Sequence, residues 1–130
     1  KRAIITPEKL TVELDDEKKV ITISTPRENS IVISDDAKGI RVKDQNGNEC
    51  MMDDKGIKLT SAKDIVLSAK GNIQLDAKGK VAVKATQDGS IEGMNVTAKA
   101  QVSLKATGSA SAELSASGQT TVKGAMVMIN

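Results

Sequence analysis

The 130-residue sequence contains no Phe, Tyr, Trp or His, and it has a single Cys and two Pro. Aromatic side chains normally supply the largest buried areas, so an interior built without them has to be narrow and lined by small and branched residues. The same absence removes the stacking platforms on which single-stranded nucleic acids are held, and ring stacking on sugars with them. Without His there is no imidazole to activate the lone Cys50, and no nucleophile and base stand together anywhere in the pattern, so no enzyme is expected. One Cys also rules out an intrachain disulfide framework. No apolar run approaches the length of a transmembrane helix, and the start at Lys1 shows neither an initiator Met nor a signal-peptide pattern; the chain is expected to be a fragment of a longer protein. Nineteen bases against 17 acids give a formal charge of +2. Because the two signs are interspersed, neither a polyanion nor a nucleic acid is implied as a partner.

What is present is periodic. Ile57 and Leu59, Ile65 and Leu67, Ile73 and Leu75, and Val81 and Val83 form pairs that return every eight positions, each pair split by one residue. A strand period of two inside a repeat of eight predicts a short strand plus a turn, stacked as a coil. Gly71 and Gly79 stand at the same point of the octad. Upstream, Ile21 with Ile23, Ile31 with Ile33, Ile40 with Val42, and Cys50 with Met52 continue the pairing at spacings of seven to ten, the excess being turn inserts such as 25–29 and 44–48. Pro26 falls in one of these inserts, where its missing N–H harms no ladder. Residues 1–20 are the least repetitive and are expected to form a collar or a link to an upstream domain. There Leu10, Val12 and Leu14 alternate with polar residues as a strand, and 15–19 form a turn.

After a break at 87–90 the pairs resume as Met94 with Val96 and Val102 with Leu104. The inward residues then shrink, as Ala110 with Ala112, or Ala112 with Leu114 in the neighbouring register, followed by Thr120 with Val122, which predicts a taper towards a tip at 122–130. The final segment, Met126, Val127, Met128, Ile129 and Asn130, is abruptly apolar and uncharged. An uncovered apolar end with open strand edges invites association, so it is expected to bind a partner.

An octad of this kind can close within one chain as a triangular coil, or three chains can each supply one face of a shared prism. Ile, Val and Leu together make up only 30 of the 130 residues, a thin stock for a single-chain core. Interdigitated chains also leave no lateral edge, which favours the trimer. About fourteen layers at roughly 4.8 Å each would make a prism roughly 60–70 Å long. The acid pairs Asp15-Asp16, Asp35-Asp36 and Asp53-Asp54 precede Lys residues and turns and fit solvated turn positions. No calcium-loop spacing exists, and Met94, Met126 and Met128 suit gap filling, so neither a metal nor a cofactor is expected.

The repeat, together with Asp36-Ala37-Lys38-Gly39-Ile40-Arg41-Val42, Asp53-Asp54-Lys55-Gly56-Ile57-Lys58-Leu59 and the closing Glu113 to Asn130 stretch, resembles the C-terminal needle of VgrG-type spike proteins over about residues 20–130. The resemblance implies an all-β fold, a triple-stranded β-helix built as an intertwined homotrimeric prism over 21–130. Ile57, Leu59, Ile65, Leu67, Ile73, Leu75, Val81, Val83, Val102 and Leu104 would form the trimer core. It further implies a structural, envelope-piercing spike of a type VI secretion system or a related phage-tail-like particle, assembled in the bacterial cytoplasm and delivered outside. Its C-terminal end, Met126 to Asn130 here, would carry a PAAR-repeat tip protein and touch the target envelope only transiently. Relatives that close their tip around His-bound iron have no counterpart in a chain without His. A β-solenoid stalk of a tail fibre or adhesin, acting as a spacer, is the alternative; it expects a polar or continuing C-terminus.

Overall fold

Seven short strands run in sequence order through the first half of the chain. In the computed structural model, which describes residues 1–130, they are β1 (Arg2–Ile5), β2 (Thr11–Asp15), β3 (Val20–Ser24), β4 (Ser30–Ser34), β5 (Gly39–Lys43), β6 (Glu49–Asp53) and β7 (Gly56–Thr60). Each pairs antiparallel with the next, giving one seven-stranded meander in the order β1 to β7, and there is no helix. The all-β expectation is met, but between residues 20 and 60 the strands pair with one another in the same chain, joined by short turns, and not with strands of neighbouring chains as an intertwined prism over the whole of 21–130 requires. The turns at 16–19, 26–28 and 45–47 fall inside the polar inserts 15–19, 25–29 and 44–48 that predict them. β1 and β2, inside residues 1–20, belong to the same sheet as the strands that follow.

The wandering spacing of the apolar pairs hides a longer repeat, which the turns reveal. Left-handed backbone occurs at Lys9, Glu28 and Gly47, at intervals of 19 residues, and on the opposite side of the sheet at Lys19, Lys38 and Gly56. In the first set a tight turn closes onto the left-handed residue: Lys9 N–H donates to Thr6 O at 2.9 Å and Glu28 N–H to Thr25 O at 3.1 Å. Such a turn followed by one left-handed residue is a standard connection for twisted hairpins. Pro26 occupies the position whose φ it presets. The repeating unit of the meander is therefore a hairpin, two strands and two turns.

The sheet is a single layer. No apolar side chain is buried, and Ser34 alone among all residues falls in the buried class. Its hydroxyl accepts the Ala37 N–H at 2.9 Å and closes the β4–β5 turn.

Beyond β7 the backbone stays extended but pairs with nothing in its own chain. It bends at 62–63 and 70–71 in the first compact unit, Lys1–Leu75. In the second unit, Asp76–Asn130, it bends at 78–79, 86–87, 94–95, 101–102, 109–110, 117–118 and 125–126. The octad is thus a real backbone repeat, with one seven-residue step between the bends at 94 and 101. The residue before each of these bends from 70 onwards is Ala or Gly: Ala69, Ala77, Ala85, Gly93, Ala100, Gly108, Ala116 and Gly124. Space explains the choice at the glycines, since a Cβ on Gly93 would stand 3.3 Å from Asn95 O, one on Gly124 3.2 Å from Met126 O, and one on Gly108 would collide with Ser111 O.

Candidate trimerisation face

Alternate residues of a strand point to opposite faces, and the register of the meander sorts them cleanly. Ile4, Val12, Ile23, Ile31, Val42, Cys50 and Leu59 stand side by side across the sheet as one row. Leu14, Ile21, Ile33, Ile40, Met52 and Ile57 form a second row on the same face, begun by Arg2. The pairs predicted to point inward therefore share one face, and that face is apolar from β2 to β7, aliphatic except for Cys50 and Met52 in β6. Ser, Thr, Lys, Arg and Glu dominate the other face, with Val20, Val32 and Met51 among them.

Exposure is inverted relative to a globular protein. In β2, β3 and β4 the polar-face positions are at least half-buried, while the aliphatic positions between them are exposed. Ile33 is 42% exposed, and at the end of the sheet Ile57 reaches 77%. Contiguous exposed aliphatic surface on this scale marks an interaction face. Part of it is a groove of about 640 Å³ bounded by Ile23, Ile31, Val42, Cys50 and Leu59, with Ile65 of the first octad at its edge.

Of the predicted core residues, Ile57 and Leu59 lie in β7 on this face, and Ile65 adjoins it across the groove. Leu67, Ile73, Leu75, Val81, Val83 and Leu104 occupy the extended segments between bends, all exposed. Val102 sits at a bend and is 98% exposed. Met126 is also at a bend, and Val127, Met128, Ile129 and Asn130 follow it, exposed, as the last extended stretch.

The polar side of the sheet is held by hydrogen bonds. Arg41 Nη2 lies 2.8 Å from Glu49 Oε2, and this bond is the main cause that lowers the Glu49 carboxyl below its usual range. Being exposed, such a pair adds little to stability. Asp44 is set more firmly: its carboxylate accepts the N–H and side-chain amide of Asn48 at 2.9 and 2.8 Å, and those of Asn46 at 2.8 and 3.1 Å. These bonds, the Asn48 amide first, lower its pKa from 3.8 to about 2. Asp15 and Asp53 likewise accept backbone N–H groups, from Lys18 and Lys55, within their turns. For Asp15 and Asp53 this is the role expected of solvated turn acids.

Sequence reasoning treated 44–48 only as an insert and missed that its side chains link separate turns. Gln45 N–H donates to Asn29 Oδ1 at 2.9 Å, Asn29 Nδ2 donates to Gln45 Oε1 at 3.1 Å, and Ala62 N–H donates to Asn48 Oδ1 at 2.9 Å. The signal available was the density of Asn, Asp and Gln in 44–48, residues whose side chains bond to nearby backbone.

No curated protein matches the chain. The family model for the phage baseplate V C-terminal trimerisation domain matches residues 20–87, just over half of the sequence, from β3 through β7 and into the octads. That family is a structural module of phage-tail-like spikes, in agreement with the resemblance over the stretch and the octads that the match covers. An aliphatic sheet face left open to solvent and a run of octads with no partner strand are what a trimerisation module shows when seen as one chain, and the protein belongs to the phage baseplate V C-terminal trimerisation family.

Proposed function

We propose that three copies of this chain form the rigid needle of a contractile injection system of the VgrG type, with three meanders facing one another up to Thr60 and a triple-stranded β-helix formed by the octads that follow. The observation that carries the reading is the face of paired aliphatic residues from Val12 to Leu59, with no buried apolar side chain anywhere in the single chain. A one-layer sheet needs a second layer to bury its apolar face. Three such faces turned inward supply one another's layer. The extended octads support the same reading, because their backbone groups and their Ile, Leu and Val pairs have no partner within the chain.

In this reading Ile57, Leu59, Ile65, Leu67, Ile73, Leu75, Val81, Val83, Val102 and Leu104 line the trimer interior. Residues 21–130 are the needle and 1–20 a collar or link that continues its sheet. The interior is close-packed and compresses little, so the needle transmits the thrust of a contracting sheath to a target envelope. The needle works outside the producing cell, after assembly in its cytoplasm as part of a type VI or related particle. Residues 126–130 form the docking end for a PAAR-repeat tip protein, since an apolar strand end without a cover would aggregate.

Light scattering on the soluble assembly tests the trimer. A mass near three times the 13.6 kDa chain is expected, and a monomer overturns the needle. Deleting 126–130 is expected to abolish binding of the PAAR protein while the trimer persists. Unchanged binding removes the docking assignment.

A further inference from the structure

A needle made of near-identical octads has an alignment problem. Between the bends at 62 and 86 the units carry Ile65 with Leu67, Ile73 with Leu75 and Val81 with Val83, with Ala69, Ala77 and Ala85 before the following bends. Within this stretch a chain shifted by one octad against its partners still presents an aliphatic pair and a bend at each height, with only the change from Ile and Leu to Val81 and Val83 to mark the difference. A shift of one residue is forbidden because it turns every side chain to the wrong face, but a shift of eight preserves the pattern. Packing of these octads therefore separates the correct alignment only weakly from its neighbours.

The meander has no such ambiguity, because its short turns fix every pairing from Arg2 to Thr60. One side-chain hydrogen bond leads from it into the octads, the bond from Ala62 N–H to Asn48 Oδ1 at 2.9 Å. Asn48 is itself immobilised, since its N–H and side-chain amide both donate to Asp44 at 2.9 and 2.8 Å. Its amide group is thereby oriented with the oxygen left for Ala62. The Asp44 turn is tied in turn to the preceding one through the reciprocal Asn29 and Gln45 bonds. On the octad side, Ser61 braces the bend, its hydroxyl donating to Asp64 O at 2.9 Å and accepting Lys63 N–H at 3.1 Å. Through the peptide link between Asp44 and Gln45, these hydrogen bonds connect the β3–β4 turn to the first bend of the repeat.

We propose that Asn48, held by Asp44 and bonded to the Ala62 N–H, is a register lock that fixes the first octad of each chain against its meander and so aligns the repeats of three chains. The inference rests on the trimeric reading above. It assigns to a polar turn what the aliphatic octads cannot do for themselves.

The test uses the full chain with Cys50→Ala and a spin label at Lys70→Cys, an exposed position at the second bend. Light scattering is done first: a monomeric parent overturns the needle reading, and the lock with it. In a trimeric parent, pulsed electron resonance is expected to give one interchain distance population. Asn48→Ala, and separately Ala62→Pro, which deletes the donated N–H and leaves Asn48 intact, are expected to remain trimeric. Their label distances are expected to split into populations from chains displaced by strand spacings of about 4.8 Å. A single parental distance in both trimeric variants overturns the lock, even if both melt earlier, because a merely stabilising bond would lower the melting temperature without dividing the distances. Loss of assembly in both variants also overturns it, since a lock governs alignment and not association. If only one variant assembles, its distances decide.

Discussion

Ile33 and Val32 are neighbours in β4 that point to opposite faces, and truncating each to Ala separates a working trimer from a working single chain. In one chain Val32 is half-buried while Ile33 is 42% exposed, so the local structure alone makes Val32 at least as important. Burying an aliphatic side chain fully contributes about 1.5–3 kcal/mol, and the open part of Ile33 leaves about 1 kcal/mol of that unrealised in each chain. In a trimer with this face inward that remainder is recovered, and Ile33→Ala also leaves a cavity. The cost then rises to about 2–5 kcal/mol per chain, or roughly 6–15 kcal/mol over three symmetry-related copies. Val32→Ala, on the outer face, removes two methyl groups from a partly covered site and costs about 1 kcal/mol per chain in either state. Urea unfolding at two protein concentrations reads the difference, because unfolding linked to dissociation has a midpoint that moves with concentration. The expected result is a concentration-dependent midpoint that falls at least twice as far for Ile33→Ala as for Val32→Ala. Equal losses with concentration-independent midpoints refute the reasoning.

Lys38 holds φ at 56°, a conformation that costs a residue with a Cβ about 1–2 kcal/mol, so Lys38→Gly is expected to raise the melting temperature, and a fall would show that the Lys side chain matters more than its backbone. Gly56 has φ at 124° with open space where a Cβ would be, and Gly56→Ala is expected to cost about 1–3 kcal/mol per chain from backbone strain alone. Gly39→Ala is expected to be worse, since its Cβ would strike the Met52 carbonyl oxygen; comparable melting of the two variants would count against that collision. Asp44 binds its proton less readily folded than unfolded, so its contribution is present above the usual pKa of 3.8 and is lost as pH falls through about 2. Asp44→Asn is accordingly expected to flatten the stability profile between about pH 4 and 2, and an unchanged acid limb in a pH-resolved melt would refute the assignment.

Much of this protein was legible in the chain itself. A side-chain period of two places Ile21 with Ile23, Ile31 with Ile33 and Ile57 with Leu59 on one face whatever strand lies beside them, and the octad spacing places the bends. Turn positions followed from Pro26, Gly47 and the Asp- and Asn-rich inserts, whose backbone preferences are local. The identity of each strand's neighbour was not legible, because an apolar pair looks the same whether the next strand belongs to its own chain or another. Only the tertiary structure decided that β1 to β7 pair within the chain while the octads after Thr60 do not. It alone brought Asn29 to Gln45 and Asn48 to Ala62, contacts between residues 14 and 16 positions apart that depend on hairpin geometry carrying successive turns to one side of the sheet.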